Sequence, residues 1–241
     1  VLFRSMQGTP KQAKVTHEAG QWFLCVVCAA VPVAPLPPTG ETIGVDVGVS
    51  AFAALDDGTI ITNPRHLDRA HRGLVKAQRR LARCKKGSNR RKKAVLALQK
   101  RHAKVARCRK DFHHKTALGL LQRADVVKVE ALQIKNLTKS AKGTEEAPGK
   151  NVRQKAGLNR RILDAGWGSF VTTLESKAAK LGRQVVKVNP RGTSQACSGC
   201  GQVVKKTLAE RTHRCPACGL VIDRDVNAAR NIKAGAGKEV K

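Results

Sequence analysis

Two Cys-x-x-Cys pairs, Cys197/Cys200 and Cys215/Cys218, lie fourteen residues apart and run almost directly into Asp223-Arg224-Asp225-Val226-Asn227-Ala228-Ala229. No other segment constrains the fold as much. Four thiols at this spacing draw the intervening chain around a tetrahedral metal ion, and the gap is one short of the usual zinc-ribbon range. Gly199, Gly201 and Gly219 flank the thiols, where tight turns let backbone amides approach sulfur. Two disulfides or an iron cluster are the alternatives. With four protein ligands a zinc site is closed, so the ion stabilises a ribbon instead of activating water. His213, between the knuckles, is a fifth candidate ligand that four cysteines make unnecessary. The ribbon is expected to present Lys205, Lys206, Arg211 and Arg214.

The chain has 241 residues, 41% of them hydrophobic, which allows one substantial core and a small satellite. Its 47 Lys and Arg against 17 Asp and Glu give a formal charge of +30. Such a surface repels itself unless a polyanion neutralises it, so nucleic acid is the expected partner. The longest apolar stretch, Trp22 to Pro35, is interrupted by Pro32, which excludes a membrane span. Polar Gln7 to Ala19 excludes a signal peptide starting at Val1, and the missing initiator Met suggests a chain cut at its N-terminus. Of the eight cysteines, four have zinc spacing, and Cys84 and Cys108 sit in basic helical segments. Cys25 and Cys28, in an apolar strand, read as buried thiols, and a reducing, cytoplasmic compartment is expected.

Ala13 to His17 and Gln21 to Cys28 read as strands about the turn Glu18-Ala19-Gly20, followed by a Pro-rich linker; together they form a first segment, 1–39. An α/β core is expected over 40–192. Ile43, Val45 and Val47 open it, then Phe52 to Leu55 and, after Asp56-Asp57-Gly58, Thr59 to Ile61, all antiparallel. Leu67, Ala70, Leu74, Ala77, Leu81 and Cys84 step by three and four, and Val95, Leu98, His102, Val105 and Phe112 answer them after Gly87-Ser88-Asn89. The pattern predicts an antiparallel helical hairpin over 66–123. Between Arg65 and Ala124 stand 21 Lys and Arg but only two acids, Asp68 and Asp111. A solvated helix face normally mixes signs. Arg72, Lys76, Arg79, Arg80, Arg83, Lys92, Lys93, Lys100, Arg101 and Lys104 are therefore candidate phosphate contacts. Asp125 to Glu130 and Gln184 to Val188 are strands separated by a polar candidate lid, Thr138 to Lys155, and by a helix stripe of Leu163, Trp167, Phe170, Leu174, Ala178 and Leu181. Strand, helix, strand predicts parallel pairing. The ribbon then occupies 193–222, and 223–241 supplies a final helix and basic tail.

Three acids interrupt apolar or basic surroundings: Asp46 within the first core strand, Glu130 at the end of a later one and Asp225 at the start of the last helix. Burying a carboxylate inside Val45-Asp46-Val47 is costly unless a cation neutralises it. Magnesium or manganese on hard oxygen ligands suits such a site, with two ions serving in-line phosphodiester attack. Singly, each acid has a plain alternative: a buried pair with Arg, an exposed strand end, a helix cap. Asp225 is preferred to Asp223 because it lies on the face of Val226, Ala228, Ala229 and Ile232. Asp164, Glu145 and Glu146 read as ordinary polar residues, and the seven His form no nucleophile constellation.

Gly44-Val45-Asp46-Val47-Gly48, Val129-Glu130, Gly157-Leu158-Asn159-Arg160, Asp164-Ala165-Gly166-Trp167, Thr193-Ser194-Gln195-Ala196-Cys197 and Asp223 through Ile232 together resemble the TnpB (OrfB) family of insertion-sequence proteins. The resemblance runs from about residue 7 to 232. It implies an RNase H-like RuvC nuclease domain split by a zinc ribbon, and an RNA-guided DNA endonuclease related to compact type V CRISPR effectors, with guide RNA and target DNA as partners. The family's catalytic acids fall on Asp46, Glu130 and Asp225, and its zinc ligands on Cys197, Cys200, Cys215 and Cys218. Only the last strands of the family's wedge barrel are expected at the front, about Val1 to Pro35. A silent nucleic-acid-binding remnant and a strand-joining transposase are the competing expectations.

Overall fold

Ala19 and Gly20 both take positive φ, at 50° and 77°, and so turn β1 (Thr9–Glu18) tightly onto antiparallel β2 (Gln21–Ala29). The computed structural model describes residues 6–207 and 209–235. Two units emerge, one joining the strands up to Ala34 with His66–Asp111, the other joining Pro35–Arg65 with the chain from Phe112 onward.

In the first unit α1 (His66–Ala82) and α2 (Asn89–Arg123) form the helical hairpin, α2 continuing into the second unit. Leu74 and Ala77 of α1 and Ala94, Ala103 and Val105 of α2 are buried. The seam of α2 keeps Val105 inside as expected but departs from the expected line at His102, which is exposed while Ala103 is inside. The Arg91 guanidinium bonds the Leu81 carbonyl at 3.3 Å, satisfying a free group at the end of α1. Arg107 donates to the Gln21 side chain at 2.6 Å and stands 4.9 Å from the centre of the Phe23 ring, tying α2 to the strands. Cys25 and Cys28 are not buried thiols: they stand on opposite faces of β2, Cys25 exposed and Cys28 half-buried.

The second unit is built on a five-stranded mixed sheet: β3 (Thr42–Val47), β4 (Ala51–Leu55), β5 (Ile60–Thr62), β6 (Val126–Glu130) and, later in the chain, β7 (Gln184–Val188), in the order β5-β4-β3-β6-β7. The first three are antiparallel and β3, β6 and β7 are parallel, as an RNase H-like α/β sheet requires. Between β6 and β7 come α3 (Ile134–Leu137), α4 (Val152–Ala165) and α5 (Trp167–Leu181). Gly166, at φ 68°, breaks the expected continuous stripe into α4 and α5, leaving Leu163 exposed and Asp164 buried against expectation. After β7 come β8 (Thr212–Arg214), β9 (Val221–Asp223) and α6 (Arg224–Ala234).

Alternation along the strands decides what each face of the sheet meets. Ile43, Val45 and Val47 of β3 and Val127 and Val129 of β6 enter a core with Phe52, Leu121, Trp167, Phe170 and Leu174. Phe52 is edge-on to Phe112 and Phe170, at 4.7 and 5.0 Å between ring centres. The opposite face of β3 carries Gly44 and Asp46, and α6 crosses there. A Cβ on Gly44 would lie 2.0 Å from the Ala229 carbonyl oxygen, so only glycine allows this approach. Asp56 fastens the crossing, accepting from the Gly44 amide at 2.9 Å and from Lys233 at 2.7 Å. At the same end of the sheet, where β3 and β6 begin, Asp125 accepts from the Thr39 and Gly40 amides and from buried Arg183, which holds the linker to the base of β6. No described helix is long and apolar enough to cross a membrane.

Candidate active site and metal-binding ribbon

β3 and β6 run parallel with Val45 opposite Val129, so Asp46 and Glu130, each one residue further on, stand side by side on the face that α6 covers. α6 begins beside them and brings Asp225. All three carboxylates line one open cleft of about 370 Å³, together with Thr193, Arg211 and Arg224. Burial pushes the Asp46 carboxyl well above the usual range, reinforced by the neighbouring charges of Glu130 and then Asp225 and opposed by Arg224. Burial also raises Glu130, partly offset by the Thr193 hydroxyl, which donates to Glu130 Oε1 at 2.6 Å. Asp225 faces Arg224 Nε at 3.2 Å and Arg211 at 3.5 Å. Asp223 has a different position: its Oδ1 accepts from the Asp225 and Val226 amides at 2.8 and 3.2 Å, which makes it the N-cap of α6.

The carboxylates provide hard oxygens in a setting that disfavours their own ionisation, so this donor set fits magnesium or manganese. Among the described residues only the four cysteines bring ligand atoms within 4.8 Å of one another, and the carboxylates share their cleft at wider spacing. The Sγ atoms of Cys197 and Cys218 are 3.6 Å apart and those of Cys200 and Cys215 3.5 Å. A tetrahedron with metal–sulfur bonds of about 2.3 Å has edges of roughly 3.8 Å, so the cluster fits zinc. Backbone amides of Cys218 and Ala217 lower the Cys215 thiol against its burial, while the neighbouring thiols of Cys215 and Cys218 push Cys200 up. His213 is fully buried on β8 and contacts Lys206 through Nδ1; it is no part of the thiol cluster. Lys206 is consequently half-buried, while Lys205, Arg211 and Arg214 are exposed.

The ribbon and the cleft are joined by residues that sequence reading passed over. Asn227 and Asn231, buried one turn apart on α6, both donate to the Ala196 carbonyl at 2.8 Å, and Asn231 also donates to the Thr193 carbonyl at 2.8 Å. Asn227 Oδ1 accepts from the Ser198 amide at 2.9 Å. The loop that enters the first knuckle is thus the one that sets Thr193 against Glu130. The available signal was the spacing of two Asn on an otherwise apolar helix face.

In the first unit a groove of about 900 Å³ is lined by Arg72, Lys76, Arg79, Arg80, Arg83 and Arg90, so five of the expected phosphate contacts share one surface. Lys92, Lys93, Lys100, Arg101 and Lys104 are exposed on α2 outside it.

Fold and cleft define an RNase H-like α/β protein with an acidic cleft and a four-thiol ribbon. Residues 25–141 match the OrfB family model, described as "Probable transposase", and residues 167–232 match the model described as "Cas12f1-like, TNB domain". The chain is 36% identical over 232 residues to an Escherichia coli K12 protein named "Putative RNA-guided DNA endonuclease InsQ", covering 96% of this chain and 58% of that one. It is 38% identical over 218 residues to a Streptomyces pristinaespiralis protein named "Putative RNA-guided DNA endonuclease", covering 90% and 50%. A solved structure titled "Cryo-EM structure of the Cas12f1-sgRNA-target DNA complex" shares the fold, with a TM-score of 0.54 and 18% identity over 92% of this chain and 55% of that one. The chain belongs to the TnpB (OrfB) family of insertion-sequence proteins. It spans 50 to 58% of the length of these two curated relatives.

Proposed function

We propose that this chain is the nuclease portion of a transposon-associated, RNA-guided DNA endonuclease, with Asp46, Glu130 and Asp225 holding the ions that serve phosphodiester hydrolysis. The observation that carries this reading is the meeting of three carboxylates from β3, β6 and α6 in one cleft bordered by arginine. Magnesium or manganese, when bound, supplies an activated water and neutralises charge on the leaving oxygen. The chain's own residues do the rest. Arg211 and Arg224 offer guanidiniums to an entering phosphate, which competes with Asp225 for them. Thr193 fixes the orientation of Glu130. Zinc on Cys197, Cys200, Cys215 and Cys218 stabilises the ribbon and takes no part in chemistry.

The relatives' names supply RNA guidance and a DNA target. The basic groove and exposed α2 cations are the phosphate-tracking surface for these partners, and a reducing cytoplasm is the compartment that suits free thiols. The test is cutting of labelled DNA in magnesium, with and without guide RNA, by the zinc-loaded chain and by Asp46→Ala. Cleavage by the parent and its loss by several orders of magnitude in the variant is expected; a variant that still cuts places the site elsewhere. A parent that binds DNA but cuts nothing, with or without guide RNA, marks a binding remnant instead. The family model's description favours a transposase, which leaves strand-transfer products.

A further inference from the structure

A second cleft, of about 340 Å³, opens on the helical side of the sheet. Val129, Leu132, Ile134, Trp167 and Val171 make its apolar walls, with Gln133 as an exposed polar group at the edge. Val47 and Glu130 line this cleft and the acid cleft alike, so the two meet across the C-terminal ends of β3 and β6. The size is at the lower end of small-molecule clefts, roughly 300–1,000 Å³, enough for one nucleoside and too little for a duplex. Away from the Glu130 carboxylate at the shared rim, the charges on its wall cancel, because Lys187 is bound to Glu175 at 2.6 Å. A largely apolar concavity whose one lysine is already paired is, in a chain of +30, unsuited to phosphate and suited to a base. The Trp167 wall is fixed, its Nε1–H donating to the Gly48 carbonyl at 3.3 Å.

We propose that this cleft is a base-binding subsite: a single strand crossing the edge of the sheet lays a phosphate in the acid cleft and the neighbouring nucleobase against Val171, Ile134 and Trp167. The proposal deepens the nuclease reading and rests on it. A base can enter only when it is unpaired from the opposite strand and unstacked from its neighbours, so the subsite selects single-stranded nucleic acid.

Trp22 and Trp167 are the two tryptophans, and Trp22 lies in the other unit, so Trp22→Phe leaves Trp167 as sole reporter. The zinc-loaded variant is titrated without magnesium with oligothymidylate, oligouridylate and an abasic strand of equal length. Oligothymidylate is expected to change Trp167 emission saturably and to bind about fivefold tighter than the abasic strand. Oligouridylate separates a DNA from an RNA occupant by its relative affinity. Gly168, on the cleft wall, has room for a side chain, since a Cβ there meets only Ile134 Cγ1 at 3.6 Å. Gly168→Leu, or Val171→Phe if the first variant melts early, is expected to abolish the base-dependent advantage and leave abasic binding unchanged. Equal emission and affinity for abasic and thymidine strands, or a filled variant that keeps the advantage, overturns the subsite. Cutting by Asp46→Asn reports on the nuclease reading separately: undiminished cutting sinks that reading and leaves a base-dependent Trp167 response standing.

Discussion

Asp46 is a carboxylate that the fold makes expensive to ionise, and this has a measurable sign. Its folded pKa is raised, first by burial and then by Glu130 and Asp225. Stability from the protonated form is therefore present below the unfolded value, about 4, and is lost as pH rises through the raised folded value. Magnesium-free protein is expected to melt progressively lower across that window. At neutral pH Asp46→Asn melts higher, roughly 2–4 °C for each ~1 kcal/mol relieved, and no longer responds to magnesium. A melting temperature equal to the parent's in both conditions contradicts this. Thr193 acts through Glu130. Thr193→Val removes the hydroxyl that the carboxylate accepts from, and manganese affinity by calorimetry is expected to fall on the order of tenfold, with Thr193→Ser restoring it. Asp46 was readable because a charge inside a Val run is conspicuous. Asp225 could be separated from Asp223 by its place on the apolar face, and the cap geometry of Asp223 supplies the physical difference. Thr193 was not legible as a partner of Glu130, because the bond spans 63 residues and carries no local pattern.

α6 is the element on which the arrangement turns, since it brings Asp225 to the sheet and grips the ribbon's entry loop through Asn227 and Asn231. Gly44→Ala pushes a methyl group into the Ala229 backbone. The overpacking is expected to destabilise by about 1–3 kcal/mol in denaturant unfolding, and to cost metal binding as α6 shifts. Cys215→Ser, by removing one thiol of the proposed zinc site, is expected to loosen residues 193–198; faster amide exchange at Thr193 and Ser198 checks it, and unchanged protection there contradicts it. Period two showed β3 and β6, where core valines alternate with Gly44 and Asp46 and with Lys128 and Glu130, while β4, buried on both faces over Phe52–Leu55, shows as a continuous apolar run. The helices were less fully legible. Spacing located the hairpin, but which of His102 and Ala103 faces inward depends on the partner helix. The break at Gly166 depends on a positive φ that a single glycine within a helical stripe does not announce.

For the molecule as a whole, charge was the clearest signal in the sequence, and the structure gathers part of it into one groove of the first unit. A phosphate-tracking surface predicts binding that depends on salt and ignores sequence. Replacing Arg79, Arg80 and Arg83 with Gln is expected to reduce the slope of log affinity against log salt by roughly 2 for single-stranded DNA, equally for all sequences tested. The acid cleft predicts something different, a site whose carboxylates hold divalent ions whether or not a strand is present. The most direct test is manganese binding to the zinc-loaded chain, followed by electron paramagnetic resonance at neutral pH. Manganese is expected to bind the parent and to be lost in Asp46→Asn and Glu130→Gln with zinc content unchanged. Manganese bound undiminished by both variants would contradict the assignment of Asp46, Glu130 and Asp225 as the metal site.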